Sequence, residues 1–128
     1  MFGHVMLGTN ELDTSMVFYD QTMPVLGYSR VETGDGYAQY GRPEDVGTGL
    51  NYLFVGLPLD GKPASPGHGV NIALLAQTRQ QVIDFHKFAL HHGGQDEGGP
   101  GLRDVHPSFF AAYVRDPAGN KLVIVCHH

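Results

Sequence analysis

Tryptophan is absent from this chain of 128 residues, and cysteine occurs once. A lone cysteine excludes an internal disulfide, so the fold must rest on its own core and not on covalent staples. Basic residues are scarce: eight Lys and Arg stand against thirteen Asp and Glu, a net charge of −5, with no basic run anywhere. A nucleic-acid backbone or an anionic membrane therefore has nothing to hold. No apolar run reaches the roughly 18 residues of a membrane span, and the start of the chain lacks the charged segment and apolar core of a secretory signal. The expected compartment is the cytoplasm and the expected partners are small or neutral. What is present is 41% hydrophobic and 16% charged, a globular composition. A chain of this length reads as one domain, able to bury about two thirds of its unfolded surface.

The best-marked stretch is the last, His106 to His128. Two apolar runs, Phe109 to Val114 and Leu122 to Cys126, flank Asp116-Pro117-Ala118-Gly119-Asn120. Pro117 presets φ at the second turn position and Gly119 takes a left-handed φ without a Cβ penalty, so the stretch predicts a β-hairpin. Alternation puts Lys121, Val123, Val125 and His127 on one face of the second strand, with Leu122, Ile124 and Cys126 on the other. Both faces are largely apolar, which predicts a central strand covered on both sides, with Cys126 packed as a small inert hydrophobe.

From the N-terminus, Gly3 to Thr9 predicts a strand with His4, Met6 and Gly8 on one face and Val5 and Leu7 on the other. A helix capped by Asp13 follows, carrying Leu12, Met16, Tyr19, Met23 and Leu26 at helical spacing until Pro24 disturbs its last turn. Strands are expected near Tyr28 to Thr33, Gly36 to Arg42 and Gly49 to Val55. After a Pro, Gly and Ser-rich linker the pattern restarts: a strand at Val70 to Leu75, then a capping box at Thr78-Arg79-Gln80-Gln81 opening a helix that turns Val82, Phe85 and Ala89 inward and ends at Gly93-Gly94. A single offset of 67 lays His4 on Asn71, Val5 on Ile72, Leu7 on Leu74, Phe18 on Phe85 and Gly27 on Gly94. A repeat of that length points to two copies of one β-α-β-β-β unit and not to a solenoid. The glycine stretch Gly98-Gly99-Pro100-Gly101 reads as a mobile loop, lacking the context of a phosphate-binding loop.

Several of these features together resemble the vicinal oxygen chelate superfamily of glyoxalase, bleomycin resistance and extradiol dioxygenase proteins. They are His4-Val5 with the Tyr19 helix and Leu26-Gly27-Tyr28, the Gly69-Val70-Asn71-Ile72-Ala73 strand, the Gly94 turn and the closing Asp116-Pro117-x-Gly119-Asn120. The resemblance implies an α+β fold: two βαβββ modules forming a curved mixed sheet with helices on the convex face and a cleft on the concave one. Module one covers about residues 1–57, the linker 58–69 and module two 70–128, within a single domain over 1–128. It also implies a homodimer, and a divalent metal such as Zn, Ni, Fe or Mn that acts as a Lewis acid on vicinal oxygens of a substrate.

Carried over residue by residue, the ligand set is incomplete. His4 matches the first ligand, Asn71 stands where the second module has His, and Val123 stands where the final strand has Glu. One ligand against the usual three predicts that no metal is held tightly, and no cofactor is expected. The resulting expectation is a glyoxalase-like protein that binds a small organic molecule in its cleft without the usual metal, transformation of that molecule being left open. The pocket would draw on His4, Met6, Phe54, Asn71, Ala73, Arg103, His106, Phe110 and Val123. A metal-dependent lyase or dioxygenase recruiting His4 with His106, His127 or a partner subunit's residue is the first alternative. A non-catalytic interaction domain is the second, favoured by a concave face filled with side chains. His91 and His92, adjacent on a helix end, point apart and are read as solvated.

Overall fold

A computed structural model describes residues 1–128. Module one runs β1 (His4–Gly8), α1 (Leu12–Thr22), β2 (Ser29–Gly34), β3 (Tyr37–Gly41) and β4 (Tyr52–Gly56); module two runs β5 (Ile72–Leu75), α2 (Arg79–His91), β6 (Gln95–Leu102), β7 (Phe110–Arg115) and β8 (Lys121–Cys126). The strands form two four-stranded sheets of equivalent order, β1-β4-β3-β2 and β5-β8-β7-β6. In each, the first strand lies parallel to the fourth and the remaining pairs are antiparallel. The strand of His4 and the strand that Asn71 leads into thus occupy equivalent edges, as the offset predicts, and β8 is central as its two apolar faces predict.

One buried cluster joins the modules on their helix side. Phe18 and Tyr19 of α1 and Val82, Phe85 and Ala89 of α2 meet Val55, Val114, Leu122, Ile124 and Cys126 there. The period of two in β8 is obeyed: Leu122, Ile124 and Cys126 enter this core, while Val123 and Val125 join Ala111 in a small separate cluster on the other side.

Local signals explain most boundaries. Thr78 Oγ1 accepts from the Gln81 backbone N–H at 3.1 Å while Gln81 reaches back to the Thr78 N–H at 3.4 Å, completing the capping box. Pro24 ends the regular part of α1, and the chain continues as a 3₁₀ turn over Met23–Leu26, closed by Gly27 at φ 87°. Asp13 is not the cap of α1. The helix begins at Leu12 with Glu11 in the cap position, and Thr9 Oγ1 orders its approach by accepting from the Glu11 N–H and the Ser15 hydroxyl. The glycine stretch is not a loop either: Gly98 to Gly101 lie within β6, irregularly paired to β7. Gly94 matches Gly27 in sequence but not in conformation, since the left-handed residue after α2 is Gly93, at φ 95°.

The modules are pinned together by polar contacts as well. Buried Tyr19 donates its hydroxyl to Asp116 Oδ2 at 2.6 Å, and Asn120, held by the same carboxylate, donates to the Gly8 carbonyl at 2.9 Å. The linker has no regular structure, yet Asn10 holds it: its amide donates to the Ala64 carbonyl at 3.0 Å and accepts the Ala64 N–H at 2.7 Å.

Candidate functional site

β1 and β5 each end a sheet, so each has an unpaired edge. Between them lies a cavity of about 530 Å³ with fifteen lining residues, eleven of them hydrophobic. His4 and Asn71 both line it, as does Ala73, while Met23 and Leu26 form its floor on the helix side. The repeat therefore brings the two first-strand positions into one space. Tyr28 and Asn51 supply further polar groups, which the sequence did not single out. Asn51 takes a left-handed φ of 61°, a conformation uncommon outside glycine, and is secured by bonds from its amide to Asp45 Oδ2 at 2.9 Å and to the Tyr28 hydroxyl at 3.1 Å. Those bonds hold a polar amide at the cavity mouth.

Beside the cavity, the open face of module one is aromatic. His4 meets the edge of Phe54 at 5.1 Å between centroids, and Tyr37 and Tyr52 approach the same ring at 6.0 and 6.2 Å. Met6 is 45% exposed on this face. Gly56 keeps the face low, because a Cβ there would come within 2.8 Å of the Met6 methyl. His4, Met6 and Phe54 are thus neighbours on one open surface.

The same face of module two is different. Val123 and Val125 are only 4% exposed, covered with Ala111 by Phe109 and Tyr113. Val123 is therefore part of a closed floor and lies outside the cavity lining. Phe110 belongs to the opposite face, packed against the shared core with Arg79 above its ring at 5.1 Å. Register explains this: Phe110 pairs with Cys126, whose side chain enters the core, so Phe109 takes the cleft side. Tyr113 carries two cations near its ring, Arg103 at 5.4 Å and Lys121 at 5.5 Å from the centroid. Beside them Arg115 donates to Glu97 at 2.8 Å and holds that carboxyl below its ordinary range, with Lys121 adding to the pull.

His106 and His127 meet at the far end of β8, ring nitrogens 2.8 Å apart and rings stacked at 4.9 Å, with Phe109 edge-on to both. His106 Nδ1 accepts the Ser108 N–H at 3.2 Å, so in the neutral pair Nε2 of His106 carries the hydrogen and donates to His127 Nδ1. That assignment leaves Nε2–H of His127 pointing away from the pair. His92 Nδ1 is engaged by the Phe88 carbonyl at 2.7 Å. His86, on the helix side, pairs with Asp96 at 2.9 Å and holds that carboxyl below its usual range. A second hollow, of about 440 Å³ beside β2, is lined mainly by polar groups, and its Arg30 and Asp20 already pair at 3.1 Å.

A metal centre of the expected kind does not fit this donor set. Nowhere do three His, Cys, Asp or Glu side chains converge, and His106 and His127 turn their facing nitrogens to each other. At the positions matching ligands there remain His4, the neutral amide of Asn71 and the donorless Val123. Zinc-like ions need about three protein ligands of imidazole, thiolate or carboxylate type.

Comparison with known proteins agrees with the fold. A glyoxalase/bleomycin resistance protein from Albidiferax ferrireducens T118 superposes with a TM-score of 0.89 at 32% identity, covering 100% of this chain and 99% of that one. A glyoxalase-related enzyme from Fulvimarina pelagi gives 0.76 at 20% identity, over 98% of this chain and 87% of the other. At 16% identity, a glyoxalase/bleomycin resistance protein/dioxygenase family enzyme from Burkholderia phytofirmans PsJN gives 0.71, over 98% of both chains. No curated protein matches. The family model for the Glyoxalase/Bleomycin resistance protein/Dioxygenase superfamily matches residues 1–124, and with this topology and the module repeat the chain belongs to that superfamily.

Proposed function

We propose that the chain binds a small organic molecule in the cavity between β1 and β5, and does so without the superfamily's metal. The observation that carries this reading is the cavity itself: about 530 Å³, mostly apolar, with His4, Asn71, Tyr28 and Asn51 as its few polar groups. That combination of size, apolar lining and sparse polar anchors is what a small-molecule site requires. Phe54 beside it, against the lining residues His4 and Tyr52, extends the contact available to a flat ligand. Metal independence rests on the donor chemistry of Asn71 and Val123, which replaces imidazole and carboxylate by an amide and a hydrocarbon.

In this reading the protein works in the cytoplasm as a homodimer. No helix is long and apolar enough to cross a membrane, and the unpaired outer strands of both sheets, with exposed Met6 on the open face, leave surface that self-association would cover. A second reading, an interaction domain, is favoured by the filled floor of module two.

Native mass spectrometry of gently purified protein, with elemental analysis of the same sample, decides between them. The expected result is an organic mass retained by the protein, no stoichiometric transition metal, and ligand retention unaffected by chelator. A stoichiometric metal whose removal releases the ligand would replace this reading by a metal-dependent lyase or dioxygenase. If neither the native protein nor protein offered a library of small aromatic compounds binds any of them, the interaction-domain reading stands instead.

A further inference from the structure

We propose that the cleft face of module two is a subsite for a small organic anion, its negative group taken up by Arg103 and Lys121 beside Tyr113 and its flat apolar body lying along β7 and β8. The proposal deepens the small-molecule reading above and rests on it.

The first support is charge. In a chain of net charge −5, Arg103, Lys121 and Arg115 gather around Tyr113 and the adjoining end of β7, where Glu97 is already paired. Glu97 is engaged by Arg115 at 2.8 Å, and neither Arg103 nor Lys121 forms an ion pair. Both nevertheless sit near the ring of Tyr113. Each cation lies against the Tyr113 ring without a carboxylate partner, so an oxygen anion arriving there meets positive charge without displacing an ion pair.

The second support is that Arg103 is already in place. Its guanidinium is anchored only by backbone, donating to the Gly99 carbonyl at 2.5 Å and weakly to the Leu102 carbonyl at 3.5 Å. The glycines of β6 are the bed it lies on: a Cβ at Gly98 or Gly101 would come within 3.2 or 3.1 Å of its nitrogens. A stretch that looked like a flexible loop in sequence thus leaves room for one side chain. An arginine fixed by carbonyls keeps the rest of its planar donor fork for a carboxylate, and ordering it beforehand lowers the entropic cost of binding.

The third support is the floor and its far end. Ala111, Val123 and Val125 are small or branched apolar residues between Tyr113 and Phe109, and past them His127 presents a free N–H. Arg103, Lys121 and His127 all offer donors along this face, which suits a ligand rich in acceptors.

Titration of the full chain at low ionic strength, followed residue by residue through amide NMR, tests the proposal with benzoate, its neutral isostere benzamide and inorganic phosphate. The expected result is saturable shifts at Arg103, Tyr113 and Lys121 with benzoate, about tenfold tighter than benzamide and tighter than phosphate. Arg103→Gln and Lys121→Gln should each weaken benzoate and leave benzamide unchanged, with native spectra showing that both variants are folded. Benzoate and benzamide binding equally well, with Arg103→Gln silent, would overturn the anion assignment while sparing the small-molecule reading. Phosphate binding as tightly as benzoate would overturn the organic half of the proposal. Failure of all three ligands to shift these residues in the wild-type chain would overturn the subsite and leave the cavity reading to its own test.

Discussion

Removing the hydroxyl of Tyr19 tests whether the two modules are held as one body by the contact that crosses between them. Tyr19 is fully buried and Asp116 is 2% exposed, with 2.6 Å between the hydroxyl and Oδ2. Burial, reinforced by the Asp116 charge, pushes the Tyr19 hydroxyl well above its ordinary pKa, so it stays a donor throughout the usable pH range. The carboxylate also accepts the backbone N–H groups of Ala118 at 3.0 Å and Asn120 at 2.8 Å, and the Asn120 amide at 3.0 Å. In Tyr19→Phe it keeps those partners and loses one hydrogen bond to a charged group, a loss of about 1.5–3 kcal/mol. For a chain of this size that lowers Tm by about 5–10 °C. Asp116→Ala is the harsher change, because it strands the Tyr19, Ala118 and Asn120 donors together and loosens the Asn120 grip on Gly8. At about 1–3 kcal/mol for each unsatisfied group, its cost should reach about 4 kcal/mol or more. Urea unfolding of both variants reads the two numbers. The reasoning is refuted if Tyr19→Phe is as stable as the wild type, or if Asp116→Ala is the milder of the pair.

Gly94→Ala should lose about 1–3 kcal/mol by overpacking, since its Cβ would come within 2.8 Å of both the Ala89 carbonyl and the Phe18 ring; urea unfolding at wild-type stability would contradict it. Asp45, Asp96 and Glu97 all have folded pKa values below their ordinary ones of 3.8, 3.8 and 4.5, through hydrogen bonds from Arg42, His86 and Arg115 first of all. Such groups stabilise the fold fully above their unfolded pKa values and stop doing so as pH falls through the folded ones. Thermal midpoints should therefore decline as pH drops below about 4, and a flat acid limb would refute this. Asn71→His with Val123→Glu should create zinc affinity, read as stabilisation by about 2.7 kcal/mol at a hundredfold excess over Kd. Without metal the same variant should be less stable than the wild type, because Val123 is 4% exposed and a carboxyl there loses its hydration. Zinc stabilising the unaltered chain equally would remove the ligand-loss argument.

The fold was legible because its signals are local and mutually consistent. The capping box at Thr78, the Pro24 break and the alternation in β8 each depend on a few neighbouring residues, and each is found where the pattern puts it. The strand β6 was not legible, because four of its eight residues are Gly or Pro and its pairing to β7 is irregular. Gly98 takes a φ of 154°, and a Cβ there would crowd the Tyr113 ring and the Arg103 guanidinium alike, a tertiary cause with no local signature. The candidate site was legible in its first-strand members, His4 and Asn71, because one offset relates them. Phe110 was misread by one residue, since the apolar run from Phe109 does not reveal which phenylalanine faces inward; only the pairing of Phe110 with Cys126 does. Asn51 and Tyr28 were not read as pocket residues, because their placement at the cavity comes from a positive φ and a contact across 23 residues.

The two modules differ where packing leaves them free to differ. Phe18 and Phe85 share the offset and both are fully buried, because the helix side of each module meets the other and a change in volume there is felt throughout the shared core. The opposite faces meet no such partner within the chain, and there the copies have diverged: an open aromatic surface around Phe54 in one, a closed valine floor under Tyr113 with unpaired cations in the other. Where family resemblance implies a metal's positive charge between the modules, the residues that precede the Ile72 and Leu122 pair of the parallel ladder are Asn71 and Lys121. A fixed side-chain cation can attract an oxygen anion but cannot bind two vicinal oxygens as a Lewis acid does. Under the reading proposed above, electrostatic capture takes the place of chelation at this cleft.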